Sequence, residues 1–314
     1  LWGQSYIEKG AWVFAPLSWL WGLVSYFKNV FYDLKWFSIS SVPATVVSVG
    51  NLVAGGTGKT PFVHLLAKKF CHRKVALLSR GYGVFADEPA LLARKLPEVK
   101  VYVGKDRVAL AKKASQEGAE LLILDDGFQY RKLFRDFDIV LLDGEDPWGK
   151  GHYLPWGYLR DSPKRLKQAD AVFVSGKDIR LIVKQILTLN GEPVSSIEGW
   201  KAALFSGIAK PKKFKKTVVE MGAEVVAEWI LADHALIDLR QLEIFAEEAV
   251  QRGAKVLVCT EKDFVKLPQN LRLKIPVLFL EVEMEIFDNK QIWEKLIAKI
   301  DQKIDNKASL CIKK

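Results

Sequence analysis

Residues 53–61 read VAGGTGKTP, so Gly55, Gly56 and Gly58 lead directly into Lys59 and Thr60. Glycines in such a run can take positive φ and bring backbone N–H groups up to phosphate oxygens. The lysine is placed to reach the β- and γ-phosphates of a nucleotide, and the threonine hydroxyl to ligate Mg²⁺. The general pattern is Gly, four residues, then Gly-Lys-Ser/Thr, and Val53 stands where its first glycine belongs. Context decides in favour of a phosphate loop. TVVSVG upstream has the character of a buried strand. PFVHLLAKKF downstream is helical, with Pro61 in the first turn, where a missing N–H does no harm. The expected nucleotide-binding set is Val53, Ala54, Gly55, Gly56, Thr57, Gly58, Lys59 and Thr60.

Such a loop needs an acidic residue at the end of a neighbouring buried strand. LLILDDG supplies Asp125 and Asp126, and together with Thr60 these are the expected metal site. DIVLLDG offers Asp143 but only one carboxylate, and ranks below the pair. Guanine recognition through Asn/Thr-Lys-x-Asp is not expected, because TEKD at 260–263 carries Glu261 where the lysine must be. ATP is therefore the expected nucleotide, with Mg²⁺. Among the four histidines, His64 and His72 fall on or just after the loop's helix, whereas His234 follows Asp233 in a region where a cleft could form.

The elements that position these residues are strands alternating with helices. Apolar runs bounded by turn signals occur at 44–50, 74–81, 99–104, 120–127, 138–144 and 170–176, separated by helical patterns such as RVALAKKASQEG. Continuous apolar strands with amphipathic helices between them predict a mostly parallel sheet covered on both faces, with ligands at the carboxyl ends of its strands. The expected fold class is α/β and P-loop NTPase-like, with a smaller C-terminal α/β subdomain and an N-terminal membrane-associating helix. The expected boundaries are 1–40, 41–198 and 199–314.

From Gly10 to Phe27 no residue is charged, and Trp12, Trp19, Trp21 and Tyr26 punctuate the run. Eighteen residues lie at the lower limit for crossing a bilayer, and Pro16, Ser18, Gly22 and Ser25 dilute the apolar character. Indole and phenol rings followed by Lys28 and Lys35 suit the membrane interface. An in-plane or partly inserted helix is preferred over a helix packed on the protein's own core, and both over a true span. The formal charge of +10 calls for an anionic partner. No zinc-finger spacing or RNA-binding aromatic signature supports nucleic acid, so an anionic membrane surface and a phosphorylated substrate are the expected partners. Cys71, Cys259 and Cys311 are too scattered for a disulfide framework or zinc site, which suits a reducing compartment.

Together, SVGNLVAGGTGKTP, LSRGYG, DEPALLA, ILDDGFQYRKLFRDFDIVLLDG, GHYLPWGYLRD, FSGIAKPKKF, LADHA and TEKDFVKL resemble, in order, the tetraacyldisaccharide 4'-kinases of lipid A synthesis. The likeness runs from the Trp-rich N-terminus to about Leu267. In that family the loop's first glycine is typically absent, so Val53 is ordinary. The resemblance implies transfer of the ATP γ-phosphoryl group to the 4'-hydroxyl of a tetraacylated glucosamine disaccharide 1-phosphate. It also implies a monomeric peripheral or monotopic enzyme at the cytoplasmic face of the bacterial inner membrane, whose C-terminal domain closes over the nucleotide. It makes Asp87 of DEP the general base and His234 its partner, with Lys59 as the catalytic cation. Three departures stand out: only three residues separate RGYG from DEP, PWGYLRD carries Trp156, Tyr158 and Asp161 where the family has a Pro-Ala-Gly-Pro-like run and a glutamate, and Ala235 follows His234 in place of a second polar or aromatic residue. The rival reading is a nucleotide-switched membrane adaptor with no lipid acceptor.

Overall fold

The computed structural model describes residues 11–81, 87–233, 235–268 and 270–312. The chain divides into two compact units, one of residues 1–81, 92–180 and 284–314, the other of residues 82–91 and 181–283.

In the first unit, α1 (Ala15–Asp33) is followed by β1 (Thr45–Asn51), α2 (Lys59–Lys69), β2 (Val75–Ser79), α3 (Asp87–Lys95, whose first residues belong to the second unit), β3 (Lys100–Val103), α4 (Arg107–Gln116), β4 (Leu121–Asp125), β5 (Phe137–Asp143) and β6 (Ala171–Ser175). The strands stand in the order β6-β5-β1-β4-β2-β3, and every pair is parallel. Both faces are covered, and alternation along the strands divides the residues between them. Val47, Val49, Leu77, Ile123 and Ile139 pack under α2, while Val46, Ala76, Leu78, Leu122 and Leu124 pack against Ala111 and Ala114 of α4. The strands expected from sequence are all present, because continuous β-branched and leucine-rich runs buried on both sides fit little else.

In the second unit, β7 (Ile179–Thr188), β8 (Pro193–Val194), β9 (Lys201–Ser206), α5 (Pro211–Glu220), β10 (Glu224–Ile230), α6 (Leu239–Gln251), β11 (Val256–Thr260), α7 (Glu261–Phe264) and β12 (Val277–Ile286) follow, the first and last strands straddling the unit boundary. β10, β9, β11 and β12 are neighbours in that order and pair in parallel.

The division differs from the boundaries expected at 40/41 and 198/199. Besides residues 82–91, the second unit takes in 181–283, and the chain returns at 284 to end in α8 (Lys290–Ile312), which belongs to the first. The reason is packing: Trp293, Leu296, Ile297, Ile300 and Ile304 of α8 lie in the same buried cluster as Phe62 and Leu66 of the phosphate-loop helix, and the Trp293 ring meets Phe62 edge-on at 5.7 Å. Residues 11–40 are likewise part of the first unit.

The helix α1 has inverted polarity. Ser18, Ser25, Asn29 and Tyr32, spaced to share one helical face, are its buried residues, while Trp12, Trp19 and Trp36 nearby are each about seven-tenths exposed (71%, 72% and 71%). The polar stripe is held by hydrogen bonds: Ser18 Oγ donates to the Tyr153 carbonyl at 2.7 Å, and Asn29 Nδ2 and Ser25 Oγ donate to Asp161 Oδ1 at 2.8 and 3.2 Å. Asp161 is fully buried and pairs with Arg165, whose guanidinium lies 4.4 Å from the Phe128 ring centroid. The aspartate that departs from the family pattern thus clips α1 to the core. Asp161→Ala leaves Arg165 buried without its carboxylate and should cost about 3 kcal/mol or more, read as a lower urea midpoint. A midpoint unchanged from wild type would remove the clip.

Candidate phosphate-transfer centre

The loop after β1 is shaped by its own strand. Asn51 Nδ2 donates to Thr57 Oγ1 at 3.1 Å and to the Gly55 carbonyl at 3.4 Å, which folds the glycine run back toward the strand end. Gly55 (φ +123°) and Gly58 (φ +85°) hold backbone conformations that side chains rarely adopt. Gly58 caps α2 with no side-chain hydrogen bond to the helix end, so the first-turn N–H groups remain for a ligand. Val53 is anchored on the core side of the loop. Its side chain is buried among Leu52, Phe128, Val140, Leu142 and Leu159, its backbone bridges to Leu159, and the Ala54 N–H donates to the Tyr158 carbonyl at 2.7 Å. A glycine there would forfeit that packing, which is the physical reason that this loop dispenses with it.

The acidic pair lies beside the loop because β4 is the parallel neighbour of β1, with Asp125 in register with Val49. The two carboxylates differ. Asp126, in the left-handed region at φ 53°, turns its side chain to cations: Arg160 engages it with both terminal nitrogens at 2.8 and 2.6 Å, and Lys59 Nζ stands 3.6 Å away. Burial alone raises the Asp126 pKa, but the Lys59 charge and the Arg160 hydrogen bonds and charge outweigh it, holding the carboxyl well below the usual range. Arg160 Nη2 also donates to Asn51 Oδ1 and Gln129 Oε1, each at 2.8 Å, and Gln129 Nε2 donates to the Asn51 carbonyl at 2.7 Å. Arg107, stacked 4.2 Å from the Tyr130 ring centroid, donates to the Asp125 and Asp126 carbonyls at 3.0 and 3.1 Å and fixes the turn.

Asp125, at the end of β4, and Thr60, in the first turn of α2, are both buried, and both offer oxygen. No group of three or more His, Cys, Asp or Glu gathers among the described residues. One or two hard oxygen donors beside a phosphate cradle fit Mg²⁺, which keeps several waters and takes its other ligands from substrate phosphates. Asp126, committed to two cations, is the poorer metal ligand of the pair.

Sequence reasoning assigned no role to Asn51, Arg107, Gln129 or Arg160, although each lies in or beside a quoted motif. Asp87 opens α3, and its side chain lies outside the described residues, as does His234. The RGYG-to-DEP connection at 82–86 is outside them too. Asp143 ends β5, the neighbour of β1 on the opposite side from β4, and is buried. No described helix is long and apolar enough to cross a membrane.

The family model described as tetraacyldisaccharide-1-P 4'-kinase matches residues 10–301. The tetraacyldisaccharide 4'-kinase of Syntrophus aciditrophicus is 35% identical over 321 aligned residues, which cover 84% of this chain and 86% of that protein. The same enzyme of Chlamydia trachomatis is 36% identical, covering 80% of each chain. The crystal structure of LpxK from Aquifex aeolicus in complex with ATP superposes with a TM-score of 0.73 at 29% identity, covering 92% of this chain and 99% of that one.

Proposed function

The chain belongs to the tetraacyldisaccharide-1-P 4'-kinase family, and from that premise we propose how its residues carry out the transfer of the ATP γ-phosphoryl group to the 4'-hydroxyl of a tetraacylated disaccharide 1-phosphate. The observation that carries the proposal is the joining of an uncapped glycine-led helix, Lys59 and the Asp125–Asp126 pair at the adjoining ends of β1 and β4.

Phosphoryl transfer is mostly positioning and charge neutralisation. The N–H groups of the loop and of the first turn of α2 bind the phosphates, and Lys59 stabilises charge on the transferring group. Asp126 and Arg160 hold the Lys59 ammonium forward, the carboxylate by attraction and the guanidinium by fixing that carboxylate. Thr60 and Asp125 would hold Mg²⁺, which supplies further charge neutralisation on the β- and γ-phosphates when bound. Asp87 accepts the proton of the attacking hydroxyl, and the imidazole of His234 tunes that carboxylate.

The acceptor is a lipid, and the outward aromatic face of α1 supports a seat at the bilayer interface. Its polar stripe is consumed by the core, and Trp19, Leu20, Leu23 and Val24 are left exposed, an arrangement that suits a helix lying in the plane of the membrane. The neighbouring Lys28 is half-buried. Burial lowers its pKa, Asp161 offsets part of that, and Arg165, Arg131 and Arg160 lower it further. We place the protein at the inner-membrane surface as a peripheral or monotopic monomer.

The deciding experiment supplies γ-labelled ATP, Mg²⁺ and a tetraacylated disaccharide 1-phosphate in mixed detergent micelles. Label recovered in the lipid, with ADP formed only when the acceptor is present, is the expected result. Acceptor-independent hydrolysis with unlabelled lipid would instead support a nucleotide-driven adaptor.

A further inference from the structure

The end of α1 holds a residue that its backbone does not favour. Leu34 is the C-cap, and Lys35 follows in the left-handed region at φ 60°. The Lys35 N–H donates to the Tyr32 carbonyl at 3.1 Å and the Trp36 N–H to the Phe31 carbonyl at 2.8 Å, the pair of bonds that closes a helix on a left-handed residue. Glycine is the usual occupant of that position, because a Cβ there is strained. The chain instead carries an exposed lysine, and beside it stands Trp36, whose ring stacks on Phe31 at 5.2 Å yet stays mostly exposed. Such strain persists at ligand clamps and switch regions, where the side chain does what glycine could not.

The segment that follows is pinned to a distant part of the first unit. Ser40 forms a parallel bridge with Leu133, in the connection between β4 and β5: the Ser40 N–H donates to the Lys132 carbonyl at 2.9 Å, and the Phe134 N–H donates to the Ser40 carbonyl at 2.7 Å. Leu133 is buried, so its neighbours Lys132 and Phe134 turn outward, and Phe134 is 50% exposed. Arg131 joins the same two segments again, donating to the Asn29 carbonyl at 3.0 Å and pairing with Asp33 at 2.7 Å. Leu34, Trp36, Phe37 and Ile39 are exposed on one segment and Phe134 on the other. Apolar side chains held outward in this way mark a contact surface.

Charge selects the partner. Against Lys28, Lys35, Arg131, Lys132 and Arg135, residues 28–40 and 129–135 contain one acidic residue, Asp33, which Arg131 neutralises. Arg135 is taken by Asp138, and Lys28 is half-buried. Lys35 and Lys132 are left as exposed cations, each within two residues of an exposed aromatic ring. Aromatic rings flanked by lysines match the headgroup layer of an anionic bilayer.

We propose that residues 34–39 and the stretch Lys132–Phe134 form a second contact with an anionic phospholipid bilayer, in which Trp36 and Phe134 enter the interface and Lys35 and Lys132 meet lipid phosphates. The proposal rests on the reading of α1 as a helix lying in the membrane plane, and adds to it a contact from outside that helix. A lone in-plane helix leaves the attached unit free to roll about the helix axis. A contact off the helix, fixed by the Ser40–Leu133 pairing, sets which way the first unit faces the bilayer.

The test measures co-sedimentation of the whole chain with vesicles of equal parts phosphatidylcholine and phosphatidylglycerol, and with vesicles of phosphatidylcholine alone. The variants are Lys35→Gly, Lys132→Gln, Trp36→Ala, Phe134→Ala and, within α1, Trp19→Ala. Lys35→Gly should weaken binding to the anionic vesicles about fivefold and leave binding to phosphatidylcholine unchanged. It should also raise the thermal midpoint, because glycine relieves the left-handed residue, an effect opposite in sign to the loss of a structural side chain. Lys132→Gln should show the same about fivefold loss, and both lysine effects should vanish in about 1 M salt, where charges are screened within about 3 Å. Trp36→Ala and Phe134→Ala should each weaken binding to both kinds of vesicle, by about tenfold. Wild-type binding by Lys35→Gly or by Phe134→Ala would overturn the second contact, whatever Trp19→Ala does. Wild-type binding by Trp19→Ala would overturn the in-plane reading of α1 instead. A self-associated chain that Phe134→Ala returns to monomer, with vesicle binding unaltered, would assign the surface to a second copy and overturn the proposal. Should Trp36→Ala fail to fold, Lys35→Gly and Phe134→Ala decide.

Discussion

Lys59→Ala should lower kcat for 4'-phosphorylation by about 10²–10³-fold while the protein remains folded. The rate loss follows from position. Lys59 is the first residue of α2, beside the uncapped N–H groups, and is held toward Asp126 at 3.6 Å. Removing it deletes the cation nearest the transferring group. The fold should survive because Asp126 keeps both Arg160 hydrogen bonds and so stays an ionised, partnered carboxylate. Lys59→Arg should not restore the rate, because a planar guanidinium cannot replace a compact ammonium as a point charge and would be drawn into the Asp126 network. The measurement is label transfer from γ-labelled ATP to lipid, alongside a thermal melt. A variant within threefold of wild type would remove Lys59 from the mechanism.

The glycine-led strand–loop–helix and the turn that carries Asp125 and Asp126 were legible in the sequence because each is a local pattern: an apolar run, a turn, and the residues at its end. The groups that tune them were not. Arg160 reaches Asp126 across 34 residues and Asn51 across 109, and no periodicity reports a contact of that kind. The motifs containing Gln129 and Arg160 were visible, but a motif names residues and not their partners. Val53 shows the same limit. Its departure from the glycine pattern could be seen, whereas the apolar pocket that occupies it is assembled from segments near 128, 140 and 159.

Domain boundaries failed to appear for a related reason. A discontinuous unit has no compositional edge, and α8 joins the loop helix through burial of Trp293 and its neighbours, far along the chain. No strand was expected over β7, where exposed and half-buried residues interrupt the apolar pattern. In α1 the serines read as a dilution of an apolar helix. With Asn29 they form the inward stripe because the Tyr153 carbonyl and Asp161 accept their hydrogen bonds, so the least apolar face is the buried one and the aromatic face is left exposed. The consecutive residues Arg160 and Asp161 thus hold two different parts of the first unit, one the phosphate centre and the other the aromatic helix α1.

The second large effect is expected at Arg160. Arg160→Met removes four hydrogen bonds at once, two to Asp126, one to Asn51 and one to Gln129, so it should destabilise the protein by about 3 kcal/mol at neutral pH. It should also lower kcat by about 10–100-fold, since Asp126 then swings freely with Lys59 and the Asn51 strap on the loop loses its anchor. Arg160→Lys should rescue little, because one ammonium cannot span three partners in a plane. The pH dependence gives this prediction its signature. The folded Asp126 pKa lies below the unfolded value of about 3.9, so the stability that it contributes is fully present above that value and is lost as pH falls toward the folded pKa. The wild-type advantage over Arg160→Met, measured by urea unfolding, should therefore hold constant from pH 8 to pH 5 and shrink below about pH 4. An advantage that stays the same at pH 3 as at pH 7 would mean that Arg160 stabilises the fold by packing alone and that Asp126 is not held ionised by it.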